Sequence, residues 1–595
     1  MDLAAVLVRA IGFHEAGRLG EAGALYQQIL STDPRNADAL HLMGVVLHQA
    51  GQQDQAVAFI EKALSYRPKD PAFLNNLGAV HQARQAWEPA IEAYRGACER
   101  APGFGDAAAN FAELASRYHG RLSEADGKLL KCALCHAPDH ARLTRLTAAT
   151  FPGHEERLDW LSRRALPLDP LSGEAWVALG ISASELDKWA LAARAYRLSA
   201  LAAPGGGEAE RLVAYTKRIS FDYEAARIWI ERARVAAPQS AAVWSTMAEV
   251  YAGQGLSGEA VSCSQQAVSL DPINARLHYR LGEHLLDNGQ VEEGWREYDW
   301  FFKLPNAVKH RNAPPRWEGQ SLQGKTLLIT ADQGIGDEIV AASLYRLAED
   351  AGARLVIDAD PRLVECLQRS FPRALVAAYD REKVEGVPVQ DYRWIPADWR
   401  PDYRIEGLAL PRFFRRSIEE AEAQAAPWLT PDPDRVAAFR TQKRPDILNV
   451  GVVWRSRRLS TERNVHYPGI EMMAQLFEVE GCHFVSLQYG DGWEEEARPY
   501  PIEVAPNLDT LNDIDGVLAK IAALDLVICP ASTVGWLGAA IDVPVWVLGN
   551  RPYYLSYGTD YQPGYPSVRR FEKLRGESWE PVIQSSLSAL KQMAS

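Results

Sequence analysis

The sequence predicts an α + α/β protein: a long array of paired helices followed by two lobes, each built on a parallel sheet. Three observations carry this. Proline recurs at a nearly fixed interval through the first half of the chain. An apolar run, Thr326–Thr330, then opens a different pattern, with a glycine turn at Gly334 and Gly336 and an acidic pair, Asp337 and Glu338, starting a helix. From there short apolar runs alternate with helical segments, which is the pattern of βαβ units.

At 595 residues the chain is too long for one core, so two to four domains are expected. Its 47% apolar and 24% charged residues are those of a globular protein. A net charge of −13 argues against nucleic acid as the main partner. The first residues, MDLAAVLVRAIGFHEAG, lack the basic and apolar regions of a signal peptide. No run reaches the ~18 apolar residues of a membrane span. The expectation is a cytoplasmic protein whose seven cysteines are reduced. Cys132-Ala-Leu-Cys135-His136 matches the c-type haem attachment pattern. Without an export signal it reads instead as two small apolar residues on one face of a repeat helix.

The array comes first. Pro34, Pro68, Pro102, Pro138, Pro170, Pro204, Pro238 and Pro272 are mostly 34 residues apart, and Gly44 and Gly78, or Ala22, Ala56 and Ala90, keep the same period. Small residues mark where two helices touch. Tyr26, Phe59, Tyr94, Trp176, Tyr196 and Trp244 fill the space beside them. Each proline ends the second helix of its unit because it cannot continue the backbone ladder. This resembles the tetratricopeptide repeat over residues 3–305, with the weakest units near 111–170. Stacked units form a superhelix whose concave face holds a peptide or protein. The last unit ends in Trp300, Phe301 and Phe302, an aromatic cluster suited to packing against the next domain. Residues 306–323, rich in proline, read as a linker pinned by Trp317.

The lobes come next. Residues 324–440 hold the run Thr326–Thr330, a helix over 338–349, a strand at 354–358 and a helix near 361–370. After a break at 425–433 the pattern restarts in residues 441–595, with strands at 449–454, 483–488, 504–506, 526–529 and 545–548. Two Rossmann-like lobes result, with a ligand expected at the carboxyl ends of the strands, in the cleft between them.

Here the residues carry a second resemblance. Gln333-Gly334-Ile335-Gly336-Asp337, the Trp454 that closes a strand, Ser486-Leu487-Gln488-Tyr489, and the strand at 526–529 with Ser532-Thr533 and residues 538–546 are similar to the two-lobed GT-B glycosyltransferases. The nearest groups are bacterial repeat-bearing glycosyltransferases related to heptosyltransferases and, more distantly, to protein O-linked N-acetylglucosamine transferases. With Arg455-Ser456-Arg457-Arg458 and Arg463-Asn464-Val465-His466-Tyr467, the chain most resembles the flagellin glycosyltransferases. The resemblance implies that the repeats hold flagellin. It also implies a metal-independent, inverting transfer to Ser/Thr with no cofactor beyond a nucleotide sugar, CMP-pseudaminic acid or a related nonulosonic acid. One departure stands out: residues 531–536 lack the acidic residue and the helix-starting His of the wider family, which implies a donor unlike that of heptosyltransferases. A transferase acting on lipopolysaccharide or another surface glycan, and a scaffold with a vestigial domain, are the alternatives.

Asp337 is the candidate general base, the role that the acid of this turn holds in heptosyltransferases. Its helix-start position is expected to lower its pKa, and the competing reading is a helix cap. Glu338 reads as a first-turn helix residue. A dinucleotide reading of the turn fails, because Ile339 stands where a third glycine belongs. Ser532 and Thr533 are expected to grip the donor phosphate, to cap their helix, or both. Arg455 and Arg457 are expected to stabilise the leaving phosphate, with Arg458 and Arg463 solvated. Gln488 and Tyr489, at a strand end, are placed toward base or ribose. Gly336, His466 and Tyr467 are candidate contacts to donor or acceptor.

Overall fold

Each repeat proline stands two residues beyond the end of a helix: Pro34 after Leu19–Thr32, Pro68 after Gln53–Tyr66, Pro204 after Trp189–Ala202, Pro272 after Ser257–Leu270. The computed structural model describes residues 2–119, 122–151, 153–384, 386–457, 466–504 and 508–595. They divide into two compact units, Met1–Ala209 and Glu210–Ser595. The division falls within the repeats rather than at residues 306–323, so the later repeats belong to the same unit as the lobes.

In the first unit the small-against-large rule holds at atomic scale. A Cβ on Gly44 would meet Ile60 Cγ1 at 2.5 Å, and one on Gly78 the Tyr94 ring at 2.7 Å. The same spacing of sixteen residues recurs at Gly180 and Tyr196. Only glycine lets these helices approach so closely. The Trp176 indole N–H donates to the Pro170 carbonyl at 2.9 Å, tying the next helix to the proline turn. The irregular stretch lies where the pattern is weakest: short helices at Ala141–Thr147 and His154–Trp160, then a π-turn at Leu161–Ala165. Cys132 and Cys135 share the helix Glu124–His136, but both are exposed rather than packed.

The second unit begins with the remaining repeats. In the last one, Ala275–Asp287 packs on Val291–Tyr298. A Cβ on Gly282 would lie 2.4 Å from the Tyr298 backbone nitrogen. The aromatic ending faces two ways. Trp300 stacks back on His278 at 3.9 Å. Trp295 and Tyr298 are buried and reach forward: the Trp295 indole N–H donates to the Tyr557 hydroxyl at 3.3 Å, and Tyr298 stacks on Tyr554 at 5.4 Å.

The first lobe contains β1 (Lys309–Arg311), β2 (Thr326–Thr330), β3 (Arg354–Ala359), β4 (Leu375–Ala378), β5 (Arg381–Val384), β6 (Val387–Asp391) and β7 (Tyr403–Glu406). Its main sheet is parallel with order β4-β3-β2-β7. In the central strand β2, Leu327, Leu328 and Ile329 are fully buried, which is why the run carries no alternation. A small second sheet, β1-β6-β5, uses residues expected to be linker: β1 pairs parallel with β6, His310 opposite Gln390. Trp317 is buried against Phe413, ring centroids 4.4 Å apart, as its pinning role requires. The expected helix at 338–349 is instead Ile335–Ala342 followed by Tyr345–Asp350.

The second lobe contains β8 (Leu448–Val452), β9 (Cys482–Ser486), β10 (Ile502–Val504), β11 (Leu526–Pro530), β12 (Val545–Arg551) and β13 (Val568–Leu574). Residues 505 and 506 of the strand expected at 504–506 lie outside the described residues. The sheet order, β10-β9-β8-β11-β12-β13, is the doubly wound 3-2-1-4-5-6. The first lobe's main sheet repeats its first four positions. The helix Pro433–Arg440 packs on this lobe: Arg435 pairs with Asp513, whose side chain caps Ile514–Ile521. Among the described residues no helix is long and apolar enough to cross a membrane.

Glu338 sits in the first turn of its helix, as expected, but it is buried, and both carboxylate oxygens lie 3.1 Å from the Asp360 N–H just past β3. Burial pushes its carboxyl up to about 8, so it is protonated at neutral pH. A raised acid favours the folded state below its ordinary pKa. That advantage disappears as pH rises through the carboxylate range toward about 8. Glu338→Gln keeps a neutral acceptor. Between pH 5 and 9 wild type is expected to lose on the order of 3 kcal/mol more stability than the variant, measured by urea denaturation. Gly282→Ala, which drives a methyl into the Tyr298 backbone, is expected to cost about 3 kcal/mol in the same assay.

Candidate active site

In a parallel sheet a crevice opens where neighbouring strands send their connections to opposite faces, at the carboxyl edge. In the first lobe that place lies between β2 and β7, and it holds a pocket. Its walls are Thr330 to Gln333 after β2, Asp337, Glu338 and Ala341 of the following helix, Gly407 and Leu408 after β7, Tyr345, and Phe302 from the end of the repeats. The Tyr298 hydroxyl lies 3.4 Å from Gln333 Oε1, so the last repeat meets this rim directly.

Asp337 stands at the third helical position, and its Oδ2 accepts the Gly334 N–H at 3.1 Å. The cap reading is thus met by geometry. The expected lowering of its pKa is not: burial raises it, and the single backbone hydrogen bond does not offset the lost hydration. A carboxylate so placed is a stronger base than an exposed one.

Across the cleft Gly336 faces Thr533, and a Cβ on the glycine would stand 3.5 Å from the threonine hydroxyl. Ile335 and Arg362 of the first lobe, with Tyr489, Thr510, Leu511 and Thr533 of the second, enclose a small cavity between the lobes. Arg362 donates to the Leu511 carbonyl at 3.2 Å and holds the lobes together there. Gly336, Tyr489 and Thr533 are therefore brought together around one cleft.

A larger pocket lies beyond the carboxyl ends of β11 and β12 and against one face of β13, lined by Ser532, Trp536, Asn550, Tyr553, Gln562 and Arg570, among others. Ser532 is the residue before the helix Thr533–Ala540. Its hydroxyl makes no capping bond. It is enclosed beside the Cys529 thiol and has no conventional hydrogen-bond partner. Asn550 Oδ1 is likewise buried without a partner, and Asn550 Nδ2 lies 3.4 Å from His466 Nδ1, which puts His466 at the pocket rim. Arg570 pairs with Glu572 within the pocket and lies 5.3 Å from the Tyr553 ring. Tyr467 is half-buried and does not line these pockets.

Two expectations fail. The Arg455 guanidinium is buried and already engaged: its Nε lies 2.8 Å from Glu496 Oε2, and its Nη2 donates to the Asp491 carbonyl at 2.8 Å. Nor does it line the pocket on β11 and β12 or the cavity between the lobes. Gln488 is fully buried and spends its amide on the backbone, accepting from Trp454 N–H at 2.9 Å and Arg455 N–H at 3.1 Å and donating to the carbonyls of Arg455 and Tyr489. It locks the end of β8 rather than meeting a ligand. Arg457 is exposed beside Gly490. Arg458 and Arg463 lie outside the described residues.

Sequence reasoning missed Arg570, Asn550 and Asp332. Arg570 and Asn550 sit on late strands whose ends carry no glycine motif. Asp332, adjoining the Gln333 turn, was legible as a strand-end acid.

Comparison with known proteins identifies the repeats. Residues 13–79 and 246–297 match models described as tetratricopeptide repeat. Protein FlbA of Caulobacter vibrioides is 28% identical over 483 residues, covering 72% of this chain and 80% of the relative. Among solved structures, the Cut9–Hcn1 hetero-tetramer of APC/C aligns at 17% identity over 47% of this chain and 55% of its own, with a TM-score of 0.32. The pilF protein of Pseudomonas aeruginosa aligns at 15% identity over 42% of this chain and 97% of its own, with a TM-score of 0.29. The chain carries tetratricopeptide repeats, is similar to Protein FlbA, and continues into two lobes with parallel sheets.

Proposed function

We propose that this chain is a GT-B glycosyltransferase that moves a nucleotide-activated sugar, CMP-pseudaminic acid or a related nonulosonic acid, to Ser/Thr of flagellin held by the repeats. The observation that carries the reading is the meeting of two lobes of matching strand order at the Gly336–Thr533 contact, with a buried acid on one side and an enclosed serine hydroxyl that makes no capping bond on the other. The resemblance supplies flagellin and the sugar class.

In this reading Asp337 is the general base. As the acceptor oxygen bonds to the anomeric carbon, the bond to the donor phosphate breaks and its electron pair leaves with the phosphate. The hydroxyl proton passes to the Asp337 carboxylate. The phosphate rests at the start of the helix Thr533–Ala540, where free backbone N–H groups and the Ser532 hydroxyl meet it. Arg570, beside Glu572, takes over the cationic role first given to Arg455. The nucleoside fills the pocket beneath Asn550 and Tyr553.

The first test is the intact mass of flagellin from cells with and without the gene. A drop by multiples of one nonulosonic acid mass is expected in the deletion strain, and Asp337→Asn is expected not to restore it while still binding flagellin. An unchanged mass in the deletion strain sinks the assignment and moves the search to surface glycans or a scaffold role. In vitro, Asp337→Asn is expected to slow transfer by about 100-fold or more. Because burial raises the Asp337 pKa and the base must be ionised, the rate falls as pH drops through that raised value. The acid limb of the pH–rate profile is thus expected above the usual carboxylate range of about 4. A limb at or below that range counts against Asp337 as the base.

A further inference from the structure

The pocket between β2 and β7 holds a second carboxylate that the reaction above leaves idle. Asp332 follows β2, and its Oδ2 lies 3.0 Å from His310 Nε2. His310 Nδ1 in turn lies 2.8 Å from the Tyr392 hydroxyl. A neutral imidazole satisfies both contacts in one way: Nε2–H donates to Asp332, and Nδ1 accepts the tyrosine O–H. The side chains are nearly enclosed, His310 7% and Asp332 4% exposed. The small sheet provides the holders, His310 on β1 and Tyr392 just past β6.

Asp332 Oδ1 is buried and has no hydrogen-bond partner, yet the residue lines the same pocket as Asp337. An unpaired buried acceptor is costly, and this one belongs to a residue of the pocket wall. A metal ion fits the surroundings poorly. The ligand atoms of His310, Asp332 and Glu406 all lie within 4.8 Å of one another. Glu406, however, is already held by Arg316 at 2.6 Å and Arg404 at 2.5 Å, and those guanidinium groups repel a further cation.

A hydrogen-bond donor suits Oδ1 better. An acceptor hydroxyl has a single proton, which this mechanism sends to Asp337, so Asp332 needs another donor. On a Ser or Thr within a polypeptide the nearest other donor is a backbone N–H. We propose that Asp332 binds a backbone amide of the acceptor polypeptide beside the modified hydroxyl, with His310 and Tyr392 as its positioning residues. The inference rests on the protein-acceptor reading above. It adds that this pocket recognises the main chain beside the modified residue.

The test uses full-length protein, flagellin from a strain lacking pseudaminic acid, and CMP-pseudaminic acid. Asp332→Asn and His310→Leu are expected to lower kcat/KM by about 100-fold, with flagellin affinity for the repeats unchanged by calorimetry. His310→Gln, which keeps an N–H toward Asp332, is expected to recover most of the rate. That rescue also separates positioning from a folding defect. Wild-type rates in Asp332→Asn and His310→Leu overturn the inference while leaving the function standing, as does a His310→Gln no faster than His310→Leu. A wild-type enzyme that transfers nothing to flagellin overturns both.

Discussion

The site depends on one geometric constraint, the crevice that a parallel sheet opens when its connections diverge. Every strand of the first lobe's main sheet points its carboxyl end the same way. Between β2 and β7 that edge opens into a pocket. Backbone ending there emerges with side chains aimed into a gap, and Thr330, Asp332, Asp337 and Gly407 share a pocket for that reason alone. The second lobe repeats the strand order, and its pocket gathers the ends of β11 and β12 with one face of β13. The two edges meet where Gly336 faces Thr533, with room at the glycine for no more than an ordinary contact.

Electrostatics then sorts the charged residues by what they already touch. The arginine that looked best placed, Arg455, is satisfied by Glu496 before any ligand arrives. Arg570 also has a carboxylate neighbour, but that pair lies within a pocket wall. Asp337 and Glu338, adjacent in sequence, differ in the same way: one faces the cleft with a single backbone bond, and the other is turned inward to hold the end of β3.

Much of the fold was legible because it is periodic. The proline interval marked helix ends, and the glycines named real helix contacts at Gly44 and Gly78. Apolar runs marked β2, β3, β8, β9, β11 and β12, since strands buried on both faces cannot hide their composition. The short strands β1, β5 and β6 escaped because they are partly exposed and carry no pattern, and with them His310. Of the site, Asp337, Gly336, Tyr489, Ser532 and Thr533 were legible from strand–turn–helix junctions. The fates of Gln488 and Arg455 were not, because side-chain partners distant in sequence decide them: Glu496 sits forty-one residues beyond Arg455.

The last repeat supplies Phe302 to the pocket wall and Tyr298 to its rim. The array is therefore anchored to the pocket by its last unit. Whole 34-residue units gained or lost near the start would change what the superhelix grips and leave the pocket untouched. The terminal unit has no such freedom, since exchanging it would rebuild the pocket itself. A lineage varying its repeats would diversify partners from the outer end inward, with the innermost unit the last to change.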